Sequence, residues 1–220
     1  MDKLSRGIYR SYVRPGAAVA LETLFSSADV RSTLDSLLLQ DWFGMSFGIY
    51  EDILIFYGER RSTSPDPSGM LPQIEHQLLD IVESSGHKWR MMWEIFHYCG
   101  IQDAEYWKRK ITGKSAQLRL NRIRPDMFSS YVFYHYQLQE EKPGMSDKYG
   151  IIGVDDGLMC FYEERPVERE ESPPTGALST GNSPLDIWNE LMARHFIPWD
   201  DYDQPWRPMR ILYSSIPYLG

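Results

Sequence analysis

GIYEDILIFYGER, from Gly48 to Arg60, lines up without gaps on GVDDGLMCFYEER, from Gly153 to Arg165. Five positions are identical: Gly48/Gly153, Phe56/Phe161, Tyr57/Tyr162, Glu59/Glu164 and Arg60/Arg165. Each stretch holds two apolar runs around a short acidic break. That pattern reads as a β-hairpin, and Gly157 can supply positive φ at the second turn. The likeness continues outward in order. Val13-Arg14-Pro15 matches Ile123-Arg124-Pro125 upstream, and Trp89-Arg90-Met91-Met92 matches Trp206-Arg207-Pro208-Met209 downstream. Ordered self-similarity at a domain-sized spacing implies two copies of one unit, about residues 4–100 and 116–216. We divide the chain into a first repeat over 1–102, a polar linker over 103–115 centred on WKRK, and a second repeat over 116–220.

Both copies give the same order of elements. In the second, Gln117 to Ile123 is strand-like and stops at Arg124-Pro125, where proline removes a donor and holds its predecessor extended. Asp126 is placed to cap a helix from Met127 to about Glu141. The hairpin follows, Tyr149 to Val154 and Leu158 to Glu163. After it comes a Pro/Ser-rich loop over 166–184, then a helix from Leu185 to about His195, with Ser183 as cap and Pro184 at its first position. Trp206 to Tyr213 closes the copy as a strand. The first copy reads as strand Ile8–Val13, a helix over 17–39 with one break, hairpin Phe43–Ile49 and Ile53–Glu59, a loop over 60–72, helix Gln73–Glu83 and strand Trp89–Tyr98. The expected fold is therefore α+β: two tandem ferredoxin-like β-α-β-β-α-β units. One such unit leaves a sheet face bare. We expect the two to pack sheet-to-sheet as an intramolecular α+β barrel, an internal pseudo-dimer.

Composition bounds the function. The chain has 220 residues, 42% hydrophobic and 25% charged, which supports a buried core. A net charge of −8 argues against nucleic-acid and anionic-membrane partners. MDKLSRGIYR has no signal-peptide pattern and no run is long enough to cross a membrane, so a cytoplasmic protein is expected. Cys99 and Cys160 form no CxxC or zinc pattern, and each reads as a small buried hydrophobe. No metal-ligand spacing, phosphate loop or hydrolase signature is present, so neither a metal nor a cofactor is expected.

One constellation remains. Tyr131 and His135 are four apart on the first helix of the second copy, so they share a face, with Met127, Tyr134 and Leu138 close to it. A histidine on an aromatic face is either a satisfied core residue or, with its tyrosine, a proton-transfer pair. Pro125-Asp126, Tyr131 and His135, then Tyr149-Gly-Ile-Ile-Gly-Val-Asp155 and Leu158-Met-Cys-Phe-Tyr-Glu163, and finally Trp188 and Trp199, form an ordered series. This series resembles the L-rhamnose mutarotase family. The resemblance implies cofactor-free interconversion of sugar anomers, with His135 and Tyr131 moving protons. It further implies that Tyr149, Trp188, Trp199 and Tyr134 hold a monosaccharide. Arg122, Arg124, Arg207 and Arg210 are candidates for its hydroxyls, with surface pairing as their plainer role. Trp206, matched by Trp89, reads as a repeated core or edge residue.

The sequence departs from the family in three places. Gln137-Leu-Gln-Glu-Glu141 replaces an Ile-Trp-Pro-Glu-Leu stretch, the interval to Tyr149 is shorter, and Trp199 stands alone where the family has two adjacent tryptophans. In the first copy the Tyr/His positions are Leu21 and Phe25, which makes that copy a structural half. These departures motivate one alternative, a non-catalytic small-ligand-binding barrel; a second, a cofactor-free or haem-dependent oxygenase with His195 or His97 as its histidine, arises because tandem ferredoxin-like barrels also host such enzymes.

Overall fold

Both hairpins form. In the first, β2 (Trp42–Tyr50) and β3 (Ile53–Arg61) pair antiparallel around Glu51, which takes φ 51°. In the second, β6 (Ile151–Asp155) and β7 (Leu158–Arg165) pair around Asp156 and Gly157, at φ 50° and 75°. This computed structural model describes residues 3–61, 63–176 and 187–217, and the chain divides by its contacts into two compact units.

The first unit comprises residues 1–92, 101–116 and 209–220. Its elements are β1 (Leu4–Tyr12), α1 (Ala18–Ser26), α2 (Ala28–Leu38), β2, β3 and a short α3 (Pro72–Glu75). The break expected within 17–39 falls at Ser27, whose hydroxyl accepts a hydrogen bond from the Val30 amide and caps α2. The unit also includes the first residues of β4 (Arg90–His97) and the later strand β9 (Arg210–Ser215). The sheet runs β4-β1-β3-β2-β9. Its first four strands have the order expected of a ferredoxin-like split β-α-β unit. Leu21, Phe25, Val30 and Leu34 of the helices pack on Tyr9, Phe47 and Phe56 of the sheet.

The helix expected over Gln73–Glu83 is only one turn, Pro72–Glu75. Beyond it the chain straightens to pair with the end of β1: Arg14 donates to the Gln77 carbonyl, Leu79 donates to the Tyr12 carbonyl, and Val13 bridges Leu78. Satisfying these backbone groups outweighs continuing a short helix.

The second unit comprises residues 93–100 and 117–208. Its elements are β5 (Ser115–Arg122), α4 (Phe128–Glu141), β6, β7, α5 (Trp188–Ala193) and β8 (Arg207–Pro208). The sheet runs β8-β5-β7-β6-β4, again with the split order in its first four strands. Arg90, Met91 and Met92 of β4 pair with β1 in the first unit, while Trp93 to His97 pair with β6 in the second.

Asp126 does not cap α4. Its carboxylate accepts from Arg124 at 2.8 Å, and a 3-10 turn over Pro125–Met127 leads into the helix instead. The expected start of the next helix at Ser183, Pro184 and Leu185 lies outside the described residues, as does most of the second half of the 166–184 loop. The final strand is interrupted at Met209, giving β8 and β9 where one strand is expected.

The residues shared by the two copies have a physical role. Tyr57 donates to Glu59 at 2.6 Å and Tyr162 to Glu164 at 2.9 Å, so two of the identities form one repeated buried hydrogen bond. A second repeated contact joins Phe56 to Trp89, with ring centroids 6.3 Å apart, and Phe161 to Trp206 at 5.7 Å. No described helix is long and apolar enough to cross a membrane. Cys99 and Cys160 are both buried, and neither is in a disulfide.

Candidate functional site

The second unit holds a cavity of about 350 Å³. Its buried end is formed by Tyr131, His135 and Leu138 of α4, with Phe96 of β4 and Ile152 of β6. Trp188, Asn189 and Met192 of α5 form one side, and Gln204, Pro205 and Trp206 complete the rim. Among the described residues, no Asp, Glu, Lys or Arg lines it.

The helical spacing read from the sequence sets this geometry. A four-residue step puts His135 directly over Tyr131, with ring centroids 4.0 Å apart. His135 Nδ1 lies 2.9 Å from the Tyr131 carbonyl oxygen and donates to it. The neutral ring then has its other nitrogen, Nε2, as an acceptor at the end remote from the helix. Neither Nε2 nor the Tyr131 hydroxyl has a hydrogen-bond partner among the described residues. The edges of Phe96 and Trp188 meet the imidazole at centroid distances of 5.0 and 4.9 Å. Burial lowers the His135 pKa to about 4, the backbone hydrogen bond opposing the shift and His195 adding to it. Burial also raises the Tyr131 phenol well above its ordinary value. Both groups are therefore neutral near pH 7.

The sequence-predicted residues divide. Tyr131, His135 and Trp188 converge on the cavity, and the other three lie elsewhere. Tyr149 is fully buried and its hydroxyl donates to Glu168 at 3.3 Å. Trp199 sits on a separate shallow surface, its indole N–H bonded to the Pro205 carbonyl and its ring covered by Arg122 and Arg207. Tyr134 packs beside His195, with centroids 6.1 Å apart. The four arginines are all engaged at the surface: Arg122 with the Pro198 carbonyl, Arg124 with Asp126, Arg207 with Asp201 and Arg210 with Glu22.

Phe96, Trp206 and the carboxamides of Asn189 and Gln204 line the cavity without having been marked by the sequence. The repeated Phe–Trp contact gave Trp206 a structural role, and that role is compatible with one face of the ring forming a wall.

The two histidines considered for haem have both nitrogens occupied. His195 Nδ1 donates to the Leu191 carbonyl at 3.0 Å, and its Nε2 is hydrogen-bonded with the Ser130 hydroxyl at 2.8 Å. His97 is held by Glu94 on one nitrogen and by Gln139 on the other. Among the described residues, no group of three or more His, Cys, Asp or Glu side chains could hold a metal ion.

The corresponding place in the first unit is filled. Leu21 and Phe25 stand where Tyr131 and His135 do, both buried, and Phe25 lies 4.9 Å from Phe47 by centroid. The space beside Phe47 and Trp89 is only about 10 Å³, closed by Pro67, Met70 and Leu71.

The sequence matches no protein-family model and no curated protein. Three solved structures are similar in outline. A "putative monooxygenase" from Fusobacterium nucleatum subsp. nucleatum aligns over 98% of this chain and 95% of that one, with TM-score 0.42 and 7% identity. A second protein of the same description, from Lactobacillus acidophilus NCFM, aligns over 98% and 97%, with TM-score 0.43 and 6% identity. An "anthrone oxidase-like protein" aligns over 98% and 93%, with TM-score 0.37 and 6% identity. None of the three is named as a mutarotase. Similarity this distant leaves the functional argument to the cavity itself.

Proposed function

We propose that the second unit binds a small, flat, largely apolar molecule in the His135 cavity. The observation that carries this reading is the lining: among the described residues, aromatic and aliphatic side chains on nearly every side, none of them charged at neutral pH, and two carboxamides at the rim. A volume of about 350 Å³ suits a one- or two-ring ligand. Trp188 and Phe96, edge-on to the imidazole, offer the ring contacts such a ligand needs.

A sugar is the less favoured occupant. Its several hydroxyls would be desolvated against walls that can bond few of them, which costs about 1–3 kcal/mol for each group left unpaired. Anomer exchange also requires a group that carries a proton in passing. An imidazole whose pKa has fallen to about 4 resists holding that proton.

Titration with indole and naphthalene, followed by tryptophan fluorescence, is expected to give saturable binding. Trp188→Ala should weaken it about tenfold, the cost of losing one aromatic wall. Dissolved-oxygen uptake measured alongside separates binding from oxidative turnover of the bound molecule. Saturation-transfer NMR with L-rhamnose should show no acceleration of anomer exchange. Failure of the aromatic panel to bind, together with acceleration that His135→Ala abolishes, would replace this reading with the mutarotase.

A further inference from the structure

The cavity's buried end has a polarity that its walls do not. His135 donates from Nδ1 to its own helix, so Nε2 presents a bare lone pair. Nothing among the described residues donates to it. Tyr131 stands against the same ring, and its hydroxyl also has no partner among the described residues. An apolar occupant of this end leaves Nε2 without a donor. A polar atom left unpaired at a site this buried makes an apolar occupant pay for its fit.

We infer that His135 selects an uncharged ligand bearing one hydroxyl, which enters buried end first and donates that hydroxyl to Nε2. This inference rests on the apolar-cavity reading above and specifies which members of that class bind. The Tyr131 hydroxyl can donate to the ligand's oxygen in return, so donor and acceptor on both sides are matched. The rest of the ligand lies against Phe96 and Trp188, and its far end reaches Asn189 and Gln204. Anions are disfavoured because, among the described residues, no cation lines the cavity to pair with them. The neutrality of the imidazole supports the assignment, since burial keeps Nε2 unprotonated through the neutral pH range.

The ordering of three ligands of one shape tests this. Naphthalene, 2-naphthol and 2-naphthoate are titrated against the full chain by calorimetry or fluorescence. The expected result is 2-naphthol at least about tenfold tighter than naphthalene, and 2-naphthoate weaker than 2-naphthol by about a hundredfold or more. 2-Methoxynaphthalene, which keeps the oxygen as an acceptor for Tyr131 and loses the proton for Nε2, should bind clearly more weakly than 2-naphthol. His135→Phe should remove most of naphthol's advantage over naphthalene, leaving the share due to Tyr131, while keeping naphthalene affinity. The methoxy comparison uses the unaltered protein and so decides the matter even where His135→Phe does not fold. Equal binding of naphthol, its methyl ether and naphthalene overturns the inference while leaving the apolar-cavity reading in place. Binding of none of them overturns both.

Discussion

Arg109→Ala is expected to destabilise the protein by about 3–5 kcal/mol, the cost of leaving a buried charge without its partner. Arg109 and Glu59 are almost wholly buried, at 1% and 0% relative exposure, in the first unit. The guanidinium grips the carboxylate with two hydrogen bonds, of 2.6 and 2.9 Å. Tyr57 adds a third at 2.6 Å. Burial alone would push the Glu59 carboxyl up, but Arg109 and these hydrogen bonds outweigh it and hold the group below its ordinary value. Removing Arg109 reverses the balance. Glu59 then titrates higher folded than unfolded, so the variant's deficit is largest at neutral pH and shrinks as acid neutralises the carboxylate. For a chain of this size the loss corresponds to a fall in Tm of roughly 10 °C. Glu59→Leu combined with Arg109→Met should recover much of it, because an apolar pair of similar volume leaves no charge to solvate. Thermal and denaturant unfolding of the single and double variants between pH 4.5 and 8 provide the check. A deficit below 1 kcal/mol that does not vary with pH would mean that the pair contributes nothing as a pair.

His135 should make the protein acid-sensitive in a defined window. Its pKa is about 4 in the folded state, against an ordinary value of 6.5. Between those values the unfolded chain binds the proton and the folded chain does not. Stability therefore rises with pH from about 4 to 6.5 and is unaffected by this group above that range. Over the whole window the contribution is about 3 kcal/mol. Carboxylates titrate nearby, so the informative quantity is the stability difference between the native protein and His135→Gln at each pH. That difference should shift in favour of the variant by about 3 kcal/mol as pH falls from 7 to 4. A difference that stays flat would show that the imidazole already carries its proton in the fold.

The local parts of the fold were legible because their signals are local. Alternation and turn residues marked both hairpins, and a four-residue step placed Tyr131 against His135. The third convergent residue, Trp188, came from its place in a longer pattern. What was hidden depends on contacts distant in sequence. Nothing in the polar run around Trp107-Lys-Arg-Lys110 marks Trp107 and Arg109 as buried, since their burial depends on Glu59 and on Arg6, whose guanidinium lies 5.1 Å over the Trp107 ring. Tyr149 and Trp199 look like sugar-holding aromatics by residue type. Glu168 holds the first, while Arg122 and Arg207 cover the second, and neither partner can be read from the aromatic's own surroundings in sequence. The short α3 was overestimated for the same reason, because its continuation pairs with β1.

The placing of β9 beside β2 has a consequence for synthesis. Strand β2, Trp-Phe-Gly-Met-Ser-Phe-Gly-Ile-Tyr, is among the more apolar stretches of the first unit, and eight of its nine residues are buried in the finished protein. The strand that covers its outer edge is made some 160 residues later, when Arg210 to Ser215 leave the ribosome. Through that interval β2 presents an unpaired backbone edge, the kind of surface that recruits other chains. A ribosome stalled anywhere between the two strands therefore holds an adhesive intermediate, and the yield of this protein should depend on how quickly translation reaches β9.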